Sequence, residues 1–158
     1  MLKYNLSQID TISKQILSSL SKTDCIFLYG ELGSGKTTFV RSLVHQLQKK
    51  NKIKKTEVVS PTFSLLHEYE IKSLKVLHYD LYRLKKNKEL DKLGIFQEKD
   101  KVIKIIEWPG IIKKKITNRL EITFYHQEEL ESRKLRIKGY GKWKKFKLNE
   151  IQTKKNKK

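Results

Sequence analysis

Lys36 and Thr37 stand at the end of Gly30-Glu31-Leu32-Gly33-Ser34-Gly35-Lys36-Thr37, a G-x-x-x-x-G-K-[ST] spacing. The spacing has a mechanical meaning. Gly33 and Gly35 let successive backbone N–H groups turn inward around a phosphate, and a helix beginning there presents its positive end to the same anion. Lys36 then supplies a point charge for β- and γ-phosphates, and the Thr37 hydroxyl is suited to Mg²⁺, a cation that keeps most of its waters. Thr38 adds a neighbouring hydroxyl. The expected nucleotide-binding set is therefore Glu31, Leu32, Gly33, Ser34, Gly35, Lys36, Thr37 and Thr38.

Binding alone is not hydrolysis, which also needs an acid to hold the metal or its waters and a group to position the attacking water. Asp80 and Glu107 qualify by position. Each follows an apolar run, Leu74 to Tyr79 and Val102 to Ile106, and ligands of open α/β sheets gather at the carboxyl ends of strands. His78 lies two residues before Asp80, on the same side of a strand. It either reaches the site or is satisfied in the interior, the commoner fate of a histidine.

These residues need elements to carry them. The run Cys25 to Tyr29 reads as the strand before the phosphate loop, and Val40, Leu43, Val44 and Leu47 make one stripe of a helix from about Thr38 to Leu47. Ser7 with Asp10 resembles a capping box, which starts a first helix over about Ser7 to Leu20. Val58 to Ile71 reads as extended chain, Lys72-Ser73 as a hairpin turn and Leu74 to Tyr79 as the returning strand. Leucines at helical intervals predict a helix over Leu81 to Leu93 that stops at Gly94. Strands follow at Val102 to Ile106, Leu120 to Tyr125 and Lys134 to Lys138, the last two joined through an acidic segment, Glu128 to Glu131. The phosphate loop implies an α/β core of the P-loop kind, a mostly parallel central sheet flanked by helices. One domain over 1–150 is expected, with a basic, disordered tail over 151–158.

The formal net charge is +19 on 158 residues. Clustered cations neutralise nucleic-acid phosphates, but here the excess is almost all lysine, accompanied by Ile and Asn, which is the mark of an AT-rich genome on any surface. No apolar run approaches the roughly 18 residues of a membrane span, and the N-terminus lacks an apolar leader. A cytoplasmic protein without membrane contact is expected. The single cysteine, Cys25, cannot form an internal disulfide and reads as a small core side chain.

Four motifs occur together: Gly-Glu-Leu-Gly-Ser-Gly-Lys-Thr-Thr at 30–38, Ser-Pro-Thr-Phe at 60–63, His-Tyr-Asp-Leu-Tyr-Arg-Leu at 78–84 and Glu-Trp-Pro at 107–109. In content, order and spacing they closely resemble the TsaE (YjeE) family over roughly Ser7 to Gly139. The resemblance implies a P-loop NTPase fold with antiparallel C-terminal strands, and a P-loop ATPase using ATP and Mg²⁺ that supports threonylcarbamoylation of the adenosine next to the anticodon of tRNA. It also implies TsaD and TsaB as partner subunits, with any tRNA contact made through that complex. Carried onto this chain, it makes Lys36, Thr62, Asp80 and Glu107 the catalytic set. Thr37 and Glu107 would hold Mg²⁺, with Asp80 supporting the metal or its waters. Thr62 would lie on a switch-like segment near the γ-phosphate, and Trp108 would report nucleotide or partner binding or serve in packing. Arg83 would pair with an acid or face a partner. Which of Asp80 and Glu107 polarises the attacking water stays open. A small-molecule kinase would use the same loop to phosphorylate an acceptor hydroxyl, and a basic RNA-binding module would retain it only as a remnant.

Overall fold

The computed structural model describes residues 1–97, 100–126 and 132–149. Seven strands form one sheet: β1 (Leu2–Tyr4), β2 (Cys25–Tyr29), β3 (Leu66–Ile71), β4 (Leu74–Asp80), β5 (Val102–Glu107), β6 (Arg119–Tyr125) and β7 (Arg133–Tyr140), in the spatial order β1-β7-β6-β2-β5-β4-β3. The centre is parallel, β6 beside β2, β2 beside β5 and β5 beside β4. The antiparallel strands flank it, β7 and β1 on one side and β3 on the other.

Burial follows from these neighbours. In β2 the four residues Cys25 to Leu28 are all buried, as a parallel strand covered on both faces requires. In β6 Leu120, Ile122 and Phe124 are buried and the residues between them are not, the pattern of a strand covered on one face. The sheet face presenting Ile26, Leu28, Ile103 and Ile105 packs against α1 (Ile9–Ser19) and α2 (Lys36–Lys50), whose Ile12, Ile16, Phe39, Val40 and Leu43 are sealed from solvent. The opposite face presents Phe27, Leu77, Tyr79 and Ile106 to Leu81, Leu90 and Ile95, from the segment around α3 (Lys88–Lys92).

Several expectations shift. The first helix begins at Ile9, because Leu6–Gln8 forms a 3-10 turn in which Gln8 Oε1 accepts the Asn5 N–H at 2.8 Å. Helix α2 runs further than expected at both ends, absorbing Lys36, Lys49 and Lys50. The extended reading of Val58 to Ile71 holds only from Leu66: residues 62–64 turn, the Leu65 N–H returns to Pro61 O at 2.6 Å, and Leu65 takes a left-handed φ of 65°. The helix over Leu81 to Leu93 shrinks to α3, since Asp80 Oδ1 accepts the Tyr82 N–H at 3.0 Å and turns the chain where a helix would begin. The expected hairpin turn is present, with Lys72 at a left-handed φ of 53°. The acidic segment over residues 128–131 and the tail over 151–158 lie outside the described residues. Among the described residues no helix is long and apolar enough to cross a membrane.

Candidate functional site

Strand parity decides which side chains meet. In β4 and β5 the residues His78, Asp80 and Glu107 share the face covered by α2, and Asp80 stands directly opposite Glu107 in the register. Strand β2 ends beside them and releases the phosphate loop, which turns into the first residues of α2. Leu32, Gly33, Gly35 and Lys36 of the loop line a cleft of about 300 Å³ with Thr37, Thr38, Ser60, Thr62, Asp80, Glu107 and Trp108, while Glu31 and Ser34 do not reach it.

The loop is held in shape by close backbone packing. Gly30 has φ 138°, and a Cβ there would lie 2.6 Å from both Phe124 O and Ser34 Oγ, so no other residue fits without displacing β6. Gly33 and Gly35 also take positive φ, 74° and 108°, which turns consecutive N–H groups inward. Lys36 folds back onto the start of its own loop, donating to Gly30 O at 2.7 Å and Glu31 O at 2.8 Å, with its Nζ 4.1 Å from the centroid of Trp108. It is 4% exposed, and burial lowers its pKa despite the opposing pull of Glu107 and Asp80.

Glu107 is the hub of the acidic side. Its Oε1 accepts the Thr37 hydroxyl at 2.9 Å and the His78 Nε2–H at 2.8 Å. His78 is sealed from solvent, stacks on Tyr69 with centroids 6.4 Å apart, and its Nδ1 has no partner among the described residues. Asp80 is engaged differently. Its Oδ2 accepts the Ser60 hydroxyl at 2.6 Å and the Thr62 hydroxyl at 2.9 Å, so it ties the 60–62 segment to the end of β4.

Trp108 has a left-handed φ of 56°, donates its N–H to Leu28 O at 3.2 Å, and leans on Tyr82 with centroids 4.8 Å apart. The strained backbone aims its ring under Lys36. Arg83 lies over the exposed ring of Phe63 at 4.9 Å.

The structure thus gathers Lys36, Thr37, Thr38, Thr62, Asp80, Glu107 and Trp108 around one cleft, and it resolves His78 as a contact of Glu107. Sequence reasoning missed Ser60, although it stands in the Ser-Pro-Thr-Phe motif, and Arg133, whose Nη1 reaches Ser34 O at 3.4 Å from β7. Leu6 also lines the cleft; no local pattern marks either Leu6 or Arg133, because both arrive through long-range pairing of β1 and β7. The donor set facing the cleft, a threonine hydroxyl and two carboxylates, is all oxygen, which fits a hard divalent cation such as Mg²⁺.

The model of the family described as threonylcarbamoyl adenosine biosynthesis protein TsaE matches residues 4–135. A relative named tRNA threonylcarbamoyladenosine biosynthesis protein TsaE, from Rickettsia felis, is 36% identical over 113 residues, covering 72% of this chain and 64% of that protein. The protein of the same name from Aquifex aeolicus is 44% identical over 80 residues, covering 49% of this chain and 58% of its own. The chain therefore matches less than two thirds of the length of these relatives. The crystal structure of YdiB from Bacillus subtilis is similar at a TM-score of 0.65 and 26% identity, covering 89% of this chain and 86% of YdiB. The fold is that of a P-loop NTPase.

Proposed function

The chain belongs to the TsaE family, and from that premise we propose that it is a Mg²⁺-dependent ATPase supporting threonylcarbamoylation of the adenosine next to the anticodon of tRNA. It acts with TsaB and TsaD subunits in the cytoplasm, and meets tRNA in their company. The observation that carries the hydrolytic reading is the 2.9 Å contact between Thr37, at the end of the phosphate loop, and Glu107, at the end of a neighbouring parallel strand.

In this reading Thr37 and Glu107 hold Mg²⁺ and Asp80 supports its surroundings. The cation, when bound, neutralises charge that develops on the transferring phosphoryl group. This chain's own residues do the rest. By donating its proton to Glu107, the Thr37 hydroxyl keeps its lone pairs available on the cleft side. The loop N–H groups and the start of α2 orient the phosphates, and Lys36 exchanges its carbonyl partners for phosphate oxygens, a better match for its charge. Asp80 keeps Ser60 and Thr62 at the mouth of the cleft, where a hydroxyl can position a water. Trp108 covers Lys36 and limits the water that reaches it, which strengthens every electrostatic contact beneath.

The test is phosphate release from ATP by the purified protein with Mg²⁺, alone and with matching TsaB and TsaD, beside Lys36→Ala. Stimulation by the two subunits that is lost in the variant is the expected result. Equal turnover in Lys36→Ala would overturn the site, and absence of hydrolysis in both settings would overturn the ATPase.

A further inference from the structure

The sheet has a second chemical surface, on the face opposite the one that carries Asp80 and Glu107. Strands β6, β7 and β1 bury only one face: Leu120, Ile122, Phe124 and Leu135 join the core beneath α1 and α2, whereas no buried residue of the opposite core comes from these three strands. The register places Arg119 opposite Tyr140, Thr123 opposite Arg136, Tyr125 opposite Lys134, and Lys134 opposite Lys3, all on the face away from that core.

We propose that this outer face of β6, β7 and β1 is a docking surface for a single-stranded segment of RNA. Charge is the first argument. Among the described residues of the three strands, Lys3, Lys134, Arg136 and Lys138 share the face with Arg119 and one carboxylate, Glu121, which pair with each other at 2.8 Å. Two of the five arginines in the chain, Arg119 and Arg136, lie on this face, whereas Arg133 pairs with Tyr4 on the other one. Arginine, with its planar fork, is the side chain that matches phosphate geometry.

Aromatic placement is the second argument. The Arg119 guanidinium lies 3.7 Å and the Lys138 ammonium 5.0 Å from the Tyr140 centroid, and Tyr125 stands at the other end of the β6–β7 pair. Single strands of RNA are held by aromatic rings that stack bases beside cations that track the backbone, and a flat sheet face presents both. Alternate residues of β7, Lys134, Arg136 and Lys138, repeat at about 7 Å, a ladder able to follow an extended phosphate chain. Duplex RNA hides its bases and offers such rings nothing to stack.

The proposal does not depend on nucleotide hydrolysis, and the experiment keeps the two apart. Binding of a fluorescein-labelled, unstructured RNA oligonucleotide to the full chain is measured by anisotropy over a series of salt concentrations. Lys134→Gln/Arg136→Gln/Lys138→Gln is compared with a control that loses the same charge from exposed positions elsewhere, Lys14→Gln/Lys54→Gln/Lys55→Gln. The face variant should bind about tenfold or more weakly and lose about 2 from the slope of log affinity against log salt, as three released phosphate contacts require. Tyr140→Ala should weaken binding several-fold without changing the slope, and Lys36→Ala should bind as the parent does. Equal losses in face and control variants, no binding by the parent, or preference for duplex RNA would each overturn the proposal. Melting curves for each variant separate lost binding from lost fold.

Discussion

At the carboxyl ends of β4 and β5 the charged side chains are sealed in, while on β1 and β7 Lys3, Arg136 and Lys138 stand on the surface. Asp80, Glu107 and Lys36 are 2%, 2% and 4% exposed, and each is held by hydroxyl, imidazole, amide or carbonyl groups. On the outer face Arg119 is paired with Glu121 and Ile116 O, and Arg119 and Lys138 both lean on the ring of Tyr140. The difference follows from what each region must do. A group that meets developing charge in a reaction works best fixed and desolvated, whereas cations that neutralise a polyanion work through released counterions and remain hydrated. One sheet supplies both because parallel strands bury their ends between helices and antiparallel strands leave a face open.

The contrast is broken most strongly at Glu107. Glu107→Gln keeps the size of the side chain but removes the charge that Thr37 and His78 serve, so turnover should fall about 100-fold or more. Nucleotide affinity measured without Mg²⁺ should hold, since the loop N–H groups and Lys36 remain. A loss of affinity without metal would move Glu107 from metal holding to nucleotide binding.

Two glycines sharpen the comparison at the level of the fold. Gly30→Ala would push a Cβ into Phe124 O and Ser34 Oγ at a φ of 138°. Gly139→Ala, in β7, would drive a Cβ into the carbonyl group of Trp143, whose ring is buried in the core. Each should destabilise the protein by about 3 kcal/mol, read from chemical denaturation. Only the first should also lower nucleotide affinity, because only Gly30 shapes the phosphate loop. If Gly139→Ala weakened nucleotide binding equally, the two halves would be coupled more tightly than their separate chemistry suggests.

A smaller effect is expected at His78. His78→Phe retains the stack on Tyr69 but leaves Glu107 without its imidazole donor, so turnover should fall about tenfold and the Mg²⁺ concentration needed should rise, as when an outer partner of a metal-holding group is lost. His78→Gln, which can still donate, should recover part of both. A variant that melted earlier but kept its Mg²⁺ requirement would give His78 a packing role alone.

How much of this could be read from sequence varied with range. The phosphate loop, the strand before it and the acids at the ends of β4 and β5 were legible because each is a local pattern, an apolar run followed by a polar residue that the core cannot absorb. His78 was half legible: parity placed it with Asp80, but only the β4–β5 register shows that it reaches Glu107. Strand β1 was missed because Leu2–Tyr4 is too short to display a period. Arg133 was missed with it, since the pairing that carries β7 toward the loop is long-range. The helix over Leu81 to Leu93 was over-read because leucine spacing outweighed the turn imposed by Asp80 on Tyr82. The basic face was hidden because a lysine-rich composition looks uniform until strand register sorts the side chains.

The smallest of the expected effects asks whether the two halves unfold together. Tyr4 of β1 and Tyr79 of β4 both have their pKa pushed up to about 12 by burial, against Arg133 for Tyr4 and with Glu68 and Cys25 adding for Tyr79. In the unfolded chain both titrate near the ordinary tyrosine value of about 10. Below that pH both states hold the proton and the stability is complete. Between about 10 and 12 the unfolded chain has released it and the folded one has not, so stability falls with rising pH by on the order of 1 kcal/mol per unit for each group. Tyrosinate absorbance followed beside circular dichroism should show one cooperative alkaline transition, because Tyr4 reaches the core under α1 and α2 and Tyr79 the core under α3, and β2 contributes to both. Two separate transitions would mean that the β6–β7–β1 half unfolds while the nucleotide half stands, and that the sheet is continuous in hydrogen bonds but not in stability.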